Sequence, residues 1–288
     1  MVWTKDYDKA GEIAKQARDF ARTLIKENVL YLEIAQKIEN KIIELGGKPA
    51  FPVNICINNI AAHDTPLVND ERKLKKGDLA KIDIGVHFNG CVADTAFTIE
   101  VGTNQYTNLI KASEEALNEA IKIIKPGIEL REIGKVIQDT IIKYGYSPIK
   151  NLSGHEVKEY IIHGGLTIPN YDNNDKHILE KDMIIAIEPF ATIGEGMIKE
   201  GKLSGIYVLV NKKNTRNSEA RKVLDFIDKE YKTLPFCARW LKFPNINFIL
   251  RLLENDGIIK QYNQLPEKSD GIVSQAEHTI IVGKGILT

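Results

Sequence analysis

Cysteine is scarce. The 288 residues hold three, Cys56, Cys91 and Cys237, an odd and sparse set that argues against a disulfide framework and for a reducing compartment. Net charge is missing as well, because 39 Lys and Arg balance 39 Asp and Glu. A dedicated nucleic-acid or polyanion binder usually carries a strongly basic domain, so that class is disfavoured. No apolar run approaches the ~18 residues that suggest a membrane span. The opening Met1-Val-Trp-Thr-Lys-Asp-Tyr-Asp-Lys9 has no apolar stretch of signal-peptide type. A Gly-x-Ser-x-Gly elbow, a phosphate loop, a dinucleotide fingerprint and a Cys-x-x-Cys pair are all lacking. A soluble intracellular protein of one large domain, or two of roughly 150 residues, is expected.

What is present reads first as helices, then as strands. Ala10, Ile13, Ala14, Ala17, Phe20 and Leu24 recur at helical spacing, and Ile34, Ala35, Ile38 and Ile42 form a second stripe that stops at Gly46-Gly47. Leu79 to Phe88, Asn89-Gly90 and Cys91 to Ile99 read as a hairpin with a two-residue turn. Helices are expected again over about 106–124 and 130–144, and strands over 183–192 and 272–282. Between 211 and 269 the pattern changes. Lys212, Lys213, Arg216, Arg221 and Lys222 precede an amphipathic stripe of Ala220, Val223, Leu224, Ile227 and Tyr231, with a second stripe at Ile249, Leu252 and Leu253. A helical insertion over 211–269, flanked by a main domain of 1–210 plus 270–288, is expected; the basic run reads as a solvated face.

The hairpin carries the first chemistry. If Asn89-Gly90 is the loop, Asp94 lies opposite Gly85 and Asp83 opposite Ala96. Side chains alternate, so Asp83 and Asp94 become diagonal neighbours on one face, about 7–8 Å apart. Two ionised carboxylates in one apolar pocket repel each other and lose hydration, so a proton or a cation is wanted there unless the face is wet. Glu188 interrupts Met-Ile-Ile-Ala-Ile-Glu-Pro-Phe, and Glu277 interrupts Ile-Val-Ser-Gln-Ala-Glu-His-Thr-Ile-Ile-Val. Four acids in the most apolar strands match the charge of two divalent cations, and carboxylates with one imidazole suit Mn, Fe, Co or Zn. The imidazole is sought among six histidines. His155 and His163 adjoin glycines; His87 and His177 read as structural or exposed, and His278 should face away from Glu277.

Taken together, Phe51-Pro-Val-Asn-Ile-Cys-Ile-Asn-Asn-Ile-Ala-Ala-His63, the Asp83/Asp94 hairpin, Ser153-Gly-His-Glu-Val-Lys-Glu-Tyr-Ile-Ile-His163, Ala186-Ile-Glu-Pro-Phe190, Leu234-Pro-Phe-Cys-Ala-Arg-Trp-Leu241 and Gln275-Ala-Glu-His278 closely resemble type II methionine aminopeptidases, in the archaeal form without an N-terminal extension. The resemblance implies an α+β pita-bread (aminopeptidase/creatinase-like) fold, a curved antiparallel sheet flanked by helices. It implies two divalent metal ions (Mn, Co, Fe or Zn) on Asp83, Asp94, His155, Glu188 and Glu277. His63 and His163 match the substrate-side histidines, Glu188 is a candidate proton shuttle, and Phe51 and Ile162 are assigned to the apolar slot for methionine. The implied reaction is removal of N-terminal methionine before a small second residue, by a metal-activated hydroxide. Peptide and nascent-chain N-termini are the implied partners, in a cytoplasmic monomer with no membrane association and a ribosome contact left open. The loop 193–201 does not align with a pocket. An X-Pro peptidase of the same fold and a non-catalytic scaffold are the rival readings.

Overall fold

The structure, a computed structural model, describes residues 4–288. Four long helices and one large antiparallel sheet form the main layers of the fold. Helices α1 (Lys5–Leu24) and α2 (Tyr31–Glu44) bury the expected alanine and isoleucine stripes. Beyond α2 the chain turns at Gly46, whose φ of 89° is a conformation that glycine adopts without steric cost. Strand β1 (Asn54–Ile57) leads to the hairpin of β2 (Leu79–Phe88) and β3 (Cys91–Glu100). Asn89 and Gly90 both take positive φ, which matches the right-handed twist of the flanking strands. The register is Asp83 opposite Ala96 and Gly85 opposite Asp94.

Helices α3 (Thr107–Ile123) and α4 (Leu130–Lys143) follow, α4 opening on a reciprocal capping box between Glu129 and Glu132. Strands β4 (Ser153–Glu156), β5 (Ile184–Ile187), β6 (Phe190–Thr192) and β7 (Leu203–Leu209) come next. Then come α5 (Ser218–Glu230), α6 (Ile246–Asn255), β8 (Ile259–Asn263), β9 (Val273–Gln275) and β10 (Glu277–Ile281). In the large sheet β2, β3, β10, β5 and β4 are successive antiparallel neighbours, with β1 also on β2. Ile82, Ile84, Val86, Ala93 and Phe97 pack on α1 and α2, while Ile185, Ile187 and Ile280 pack on α3 and α4. Both helix pairs thus cover one face of the sheet, and alternation sends Asp83, Asp94 and Glu277 to the other.

Two expected strands are each cut in two. The run 183–192 breaks at Glu188-Pro189, where proline lacks the N–H a ladder needs, and 272–282 breaks at Ala276. The outer pieces β6 and β9 pair with each other in a second sheet. The insertion is not purely helical. Strands β7 and β8 and the pair Phe236–Cys237 form a small sheet under α5 and α6, with an apolar cluster of its own running from Leu209 to Ile259. Helical periodicity is visible there, but short strands whose partners lie about 30 to 60 residues away leave little local signature. Among the described residues no helix is long and apolar enough to cross a membrane.

Candidate metal centre

The strand register builds the site. Asp83 pairs with Ala96, Ala96 pairs with Glu277, and extending the β10–β5 register by one step sets Glu188 beside Glu277. His155 pairs with Ala186, two residues from Glu188 and therefore on the same face. Five side chains from β2, β3, β4, β10 and the end of β5 consequently converge above the small side chain of Ala96. One ligand atom from each of Asp94, His155 and Glu277 lies within 4.8 Å of the others, and all three residues are buried. The His155 Nε2 stands 3.8 Å from Asp94 Oδ2 and 3.6 Å from Glu188 Oε1, too far for hydrogen bonds.

Electrostatics disfavours this cluster as a set of ionised carboxylates. Burial, then the neighbouring carboxylates, pushes Asp94 and Glu277 well above the ordinary carboxylate range; burial and Asp83 do the same to Glu188. Burial also raises Asp83 and lowers His155 to about 3, so its imidazole is neutral and its contacts to the acids are not ion pairs. Asp83 Oδ1, Asp94 Oδ1 and Glu277 Oε1 are buried with no hydrogen-bond partner. Buried acceptors left without donors are costly. Divalent metal held by carboxylate oxygens and one neutral imidazole nitrogen would satisfy such acceptors, and the donor set fits such an ion.

A cavity of ≈ 350 Å³ opens over these residues. Phe51 and Ile162, both buried, line it together with His63, His163, Phe190 and Tyr262. Phe51 reaches the site because Gly85 has no side chain; a Cβ there would collide with the ring. His63 sits at φ 61° and stacks on Tyr262 with ring centroids 5.2 Å apart, and burial followed by His163 lowers its pKa to about 4. It is half-buried against that ring. His163 is exposed to the cavity and meets His155 edge-on at 4.7 Å. His278 faces the other way, 3.0 Å from Arg18 Nη1, His177 is exposed beside Asp175, and His87 accepts from the turn at Gly90.

Sequence reasoning passed over the residues that hold the ligands. The Thr279 hydroxyl accepts from Asp94 N (2.7 Å) and donates to Asp94 O (2.8 Å), while Thr98 does the same for Gln275. Thr95 donates to Glu277 O at 3.0 Å. Threonine hydroxyls thus replace backbone pairs on both sides of the Glu277–Ala96 step. Gln275 Nε2 donates to Glu188 Oε2 (3.3 Å), and Asn170 Nδ2 donates to the Glu188 carbonyl (3.2 Å). The only signal was the register itself, since these positions alternate with the acids. The far wall comes from Ile206, Pro235 and Tyr262. Among the described residues the cavity lining does not include 193–201. That loop is fastened instead to Glu267, which accepts from Gly196, Ser269 and Gly271.

Over residues 5–246 the chain matches metallopeptidase family M24. It is 46% identical over 291 residues to a methionine aminopeptidase of Pyrococcus horikoshii, covering 98% of each chain. The chain belongs to the methionine aminopeptidases of metallopeptidase family M24. Solved structures agree on the architecture. A thermophilic Arx1 superposes with a TM-score of 0.85 at 17% identity, covering 98% of this chain and 88% of that one. The methionine aminopeptidase of Rickettsia prowazekii superposes at 0.74 with 23% identity, covering 100% and 99%. The sheet and its two helix pairs are the pita-bread fold of this family, and the membership makes the chain a metallopeptidase that works with divalent metal.

Proposed function

We propose that this metallopeptidase removes methionine from the N-termini of peptides and nascent proteins when the second residue is small, as a type II enzyme of the archaeal kind. The carrying observation is the group of buried acceptors without partners at the floor of a cavity with apolar walls. Asp83, Asp94, His155, Glu188 and Glu277 would hold two divalent ions drawn from Mn, Co, Fe or Zn. Bound there, such ions supply Lewis acidity and a water whose pKa falls towards about 7. His63 and His163, on the open side of the acids, hydrogen-bond the scissile amide and stabilise the charge that develops on its oxygen. His63 is neutral near pH 7 because burial lowers its pKa, and one of its ring nitrogens is hydrogen-bonded to the backbone of Asn263. Glu188 carries a proton to the leaving amine. Phe51 and Ile162 accept the thioether, which fills irregular apolar space well.

The similarity to an archaeal relative along the whole chain supports the subtype. The separate apolar cluster from Leu209 to Ile259 supports an insertion distinct from the main domain, although its first strand, Leu203–Leu209, begins before the 211 boundary read from the sequence. A cytoplasmic monomer acting on emerging chains completes the reading, with a ribosome contact through the exposed basic stretch 212–222, where Lys212 pairs with Asp228 and Lys222 with Glu219. Comparing kcat/KM for Met-Ala-Ser, Met-Phe-Ser, Lys-Ala-Ser and Ala-Pro-Ser tests it. Met-Ala-Ser should lead, and chelator-treated protein should be inactive until Mn, Co or Fe is restored. If Ala-Pro-Ser leads, the X-Pro rival is correct. His63→Ala should keep its metal and lose about 2.7–4 kcal/mol of transition-state stabilisation, read in kcat; loss of metal would make it a ligand.

A further inference from the structure

One acceptor in the cavity belongs to no proposed ligand. Asn54 opens β1 directly opposite Asp83, so the row across the sheet runs Asn54, Asp83, Ala96, Glu277 on one face. Asn54 is 3% exposed and lines the cavity. Its Nδ2 donates to Pro52 O at 2.8 Å, which fixes the orientation of the carboxamide, because the reverse would set two oxygens against each other. The Oδ1 therefore has one defined direction, and it is buried without a donor. Its neighbour in the register, Asp83 Oδ1, also lacks one. Asp83 is taken up by the proposed metal, so Asn54 Oδ1 is the acceptor that calls for a hydrogen, and no described side chain supplies one.

We propose that Asn54 Oδ1 accepts an N–H from the free α-amine of the bound peptide and is a specificity-determining residue for unblocked N-termini. The proposal rests on the methionine aminopeptidase reading of the site. Among the groups such a substrate brings, the α-amine is the one with spare N–H donors. A des-amino chain lacks those donors and would leave Oδ1 unmet, which is the asymmetry that gives hydrogen-bonded sites their selectivity. A neutral carboxamide also serves where a fifth carboxylate would add to the repulsion among four.

The test uses metal-loaded protein and two probes that differ only in the amine, methionine hydroxamate and 4-(methylthio)butanoyl hydroxamate, with dissociation constants from calorimetry. Wild type should prefer the amine-bearing probe. Asn54→Leu should cut that preference by about tenfold, the worth of one hydrogen bond, with the des-amino affinity and the metal content by elemental analysis unchanged. An unchanged preference, an equal loss for both probes, or loss of metal would overturn the role of Asn54. Should the leucine variant not fold, Asn54→Ala is read by the same ratio. Wild type that binds neither probe would overturn the methionine reading and the inference with it, whereas tight binding of both with an unmoved ratio would defeat the inference alone.

Discussion

Buried charge is handled in two opposite ways in this molecule. Between α2 and the insertion, Glu39 is 5% exposed, yet both of its oxygens are occupied. Arg239 donates to them from Nη1 and Nη2 at 2.8 Å each, and Trp240 Nε1 donates to Oε2 at 3.0 Å. Arg239 Nε goes on to Pro66 O at 2.7 Å. Glu267 is equally well served, by three backbone N–H groups and the Ser269 hydroxyl. Across the sheet, Asp83, Asp94 and Glu277 are held in place by their strands, but each keeps an oxygen with nothing to bond. The protein can saturate a buried carboxylate, and it does so again at Asp64, whose two oxygens accept from Arg72. Where it leaves a group of them bare, the missing partner comes from outside the chain, and that difference separates a clasp from a site.

The comparison breaks most readily at the clasp. Glu39→Ala strands a buried guanidinium and should cost about 3–5 kcal/mol in urea unfolding. Glu277→Gln should do the reverse to metal-free protein. Its carboxyl pKa lies above the unfolded value, so the stability it contributes is present in acid and lost as pH rises. At neutral pH the neutral variant should therefore unfold later than metal-free wild type, while binding metal poorly. If both substitutions destabilise metal-free protein alike, the two regions do not differ in kind.

Glu267 sharpens the point by pH. Its hydrogen bonds hold the carboxyl below its ordinary range, although burial alone would raise it. The stability it confers is present above the unfolded value and lost as pH falls through the folded one. Glu267→Gln should cost about 1.5–3 kcal/mol at pH 7, the range for bonds to a charged group, and the gap to wild type should close in acid. A gap that is flat between pH 7 and pH 3 would show that shape, not charge, matters there.

The smallest effect is expected from Thr279, which touches no ligand carboxylate and holds only the backbone of Asp94. Thr279→Val should weaken metal binding about 10–100-fold, as loss of a supporting partner does, and Thr279→Ser should restore it. Metal titration of apo protein reads this directly. Equal affinities for all three proteins would mean that the strands alone position Asp94.

Much of this was legible before any coordinates. Period 3.6 marked four helices and period 2 marked the hairpin, because both follow from local backbone geometry that side chains report directly. Asn89-Gly90 set the register of β2 on β3, and with it the diagonal of Asp83 and Asp94. The resemblance then pointed to the remaining ligand positions. Beyond that, the chain was silent where function depends on pairs distant in sequence. The breaks at Pro189 and Ala276 divide strands that read as continuous, and the sheet beneath α5 and α6 forms only when residues near 206 meet residues near 261. Tyr262 behind His63, Gln275 on Glu188, the hydroxyls of Thr98 and Thr279, and the free oxygen of Asn54 are all contacts of this sort. Residue type and spacing determined which groups could bear charge and which face they would share. Only the packed sheet decided which of those groups the protein satisfies itself, because a hydrogen bond depends on a few tenths of an ångström between strands whose separation no local pattern encodes.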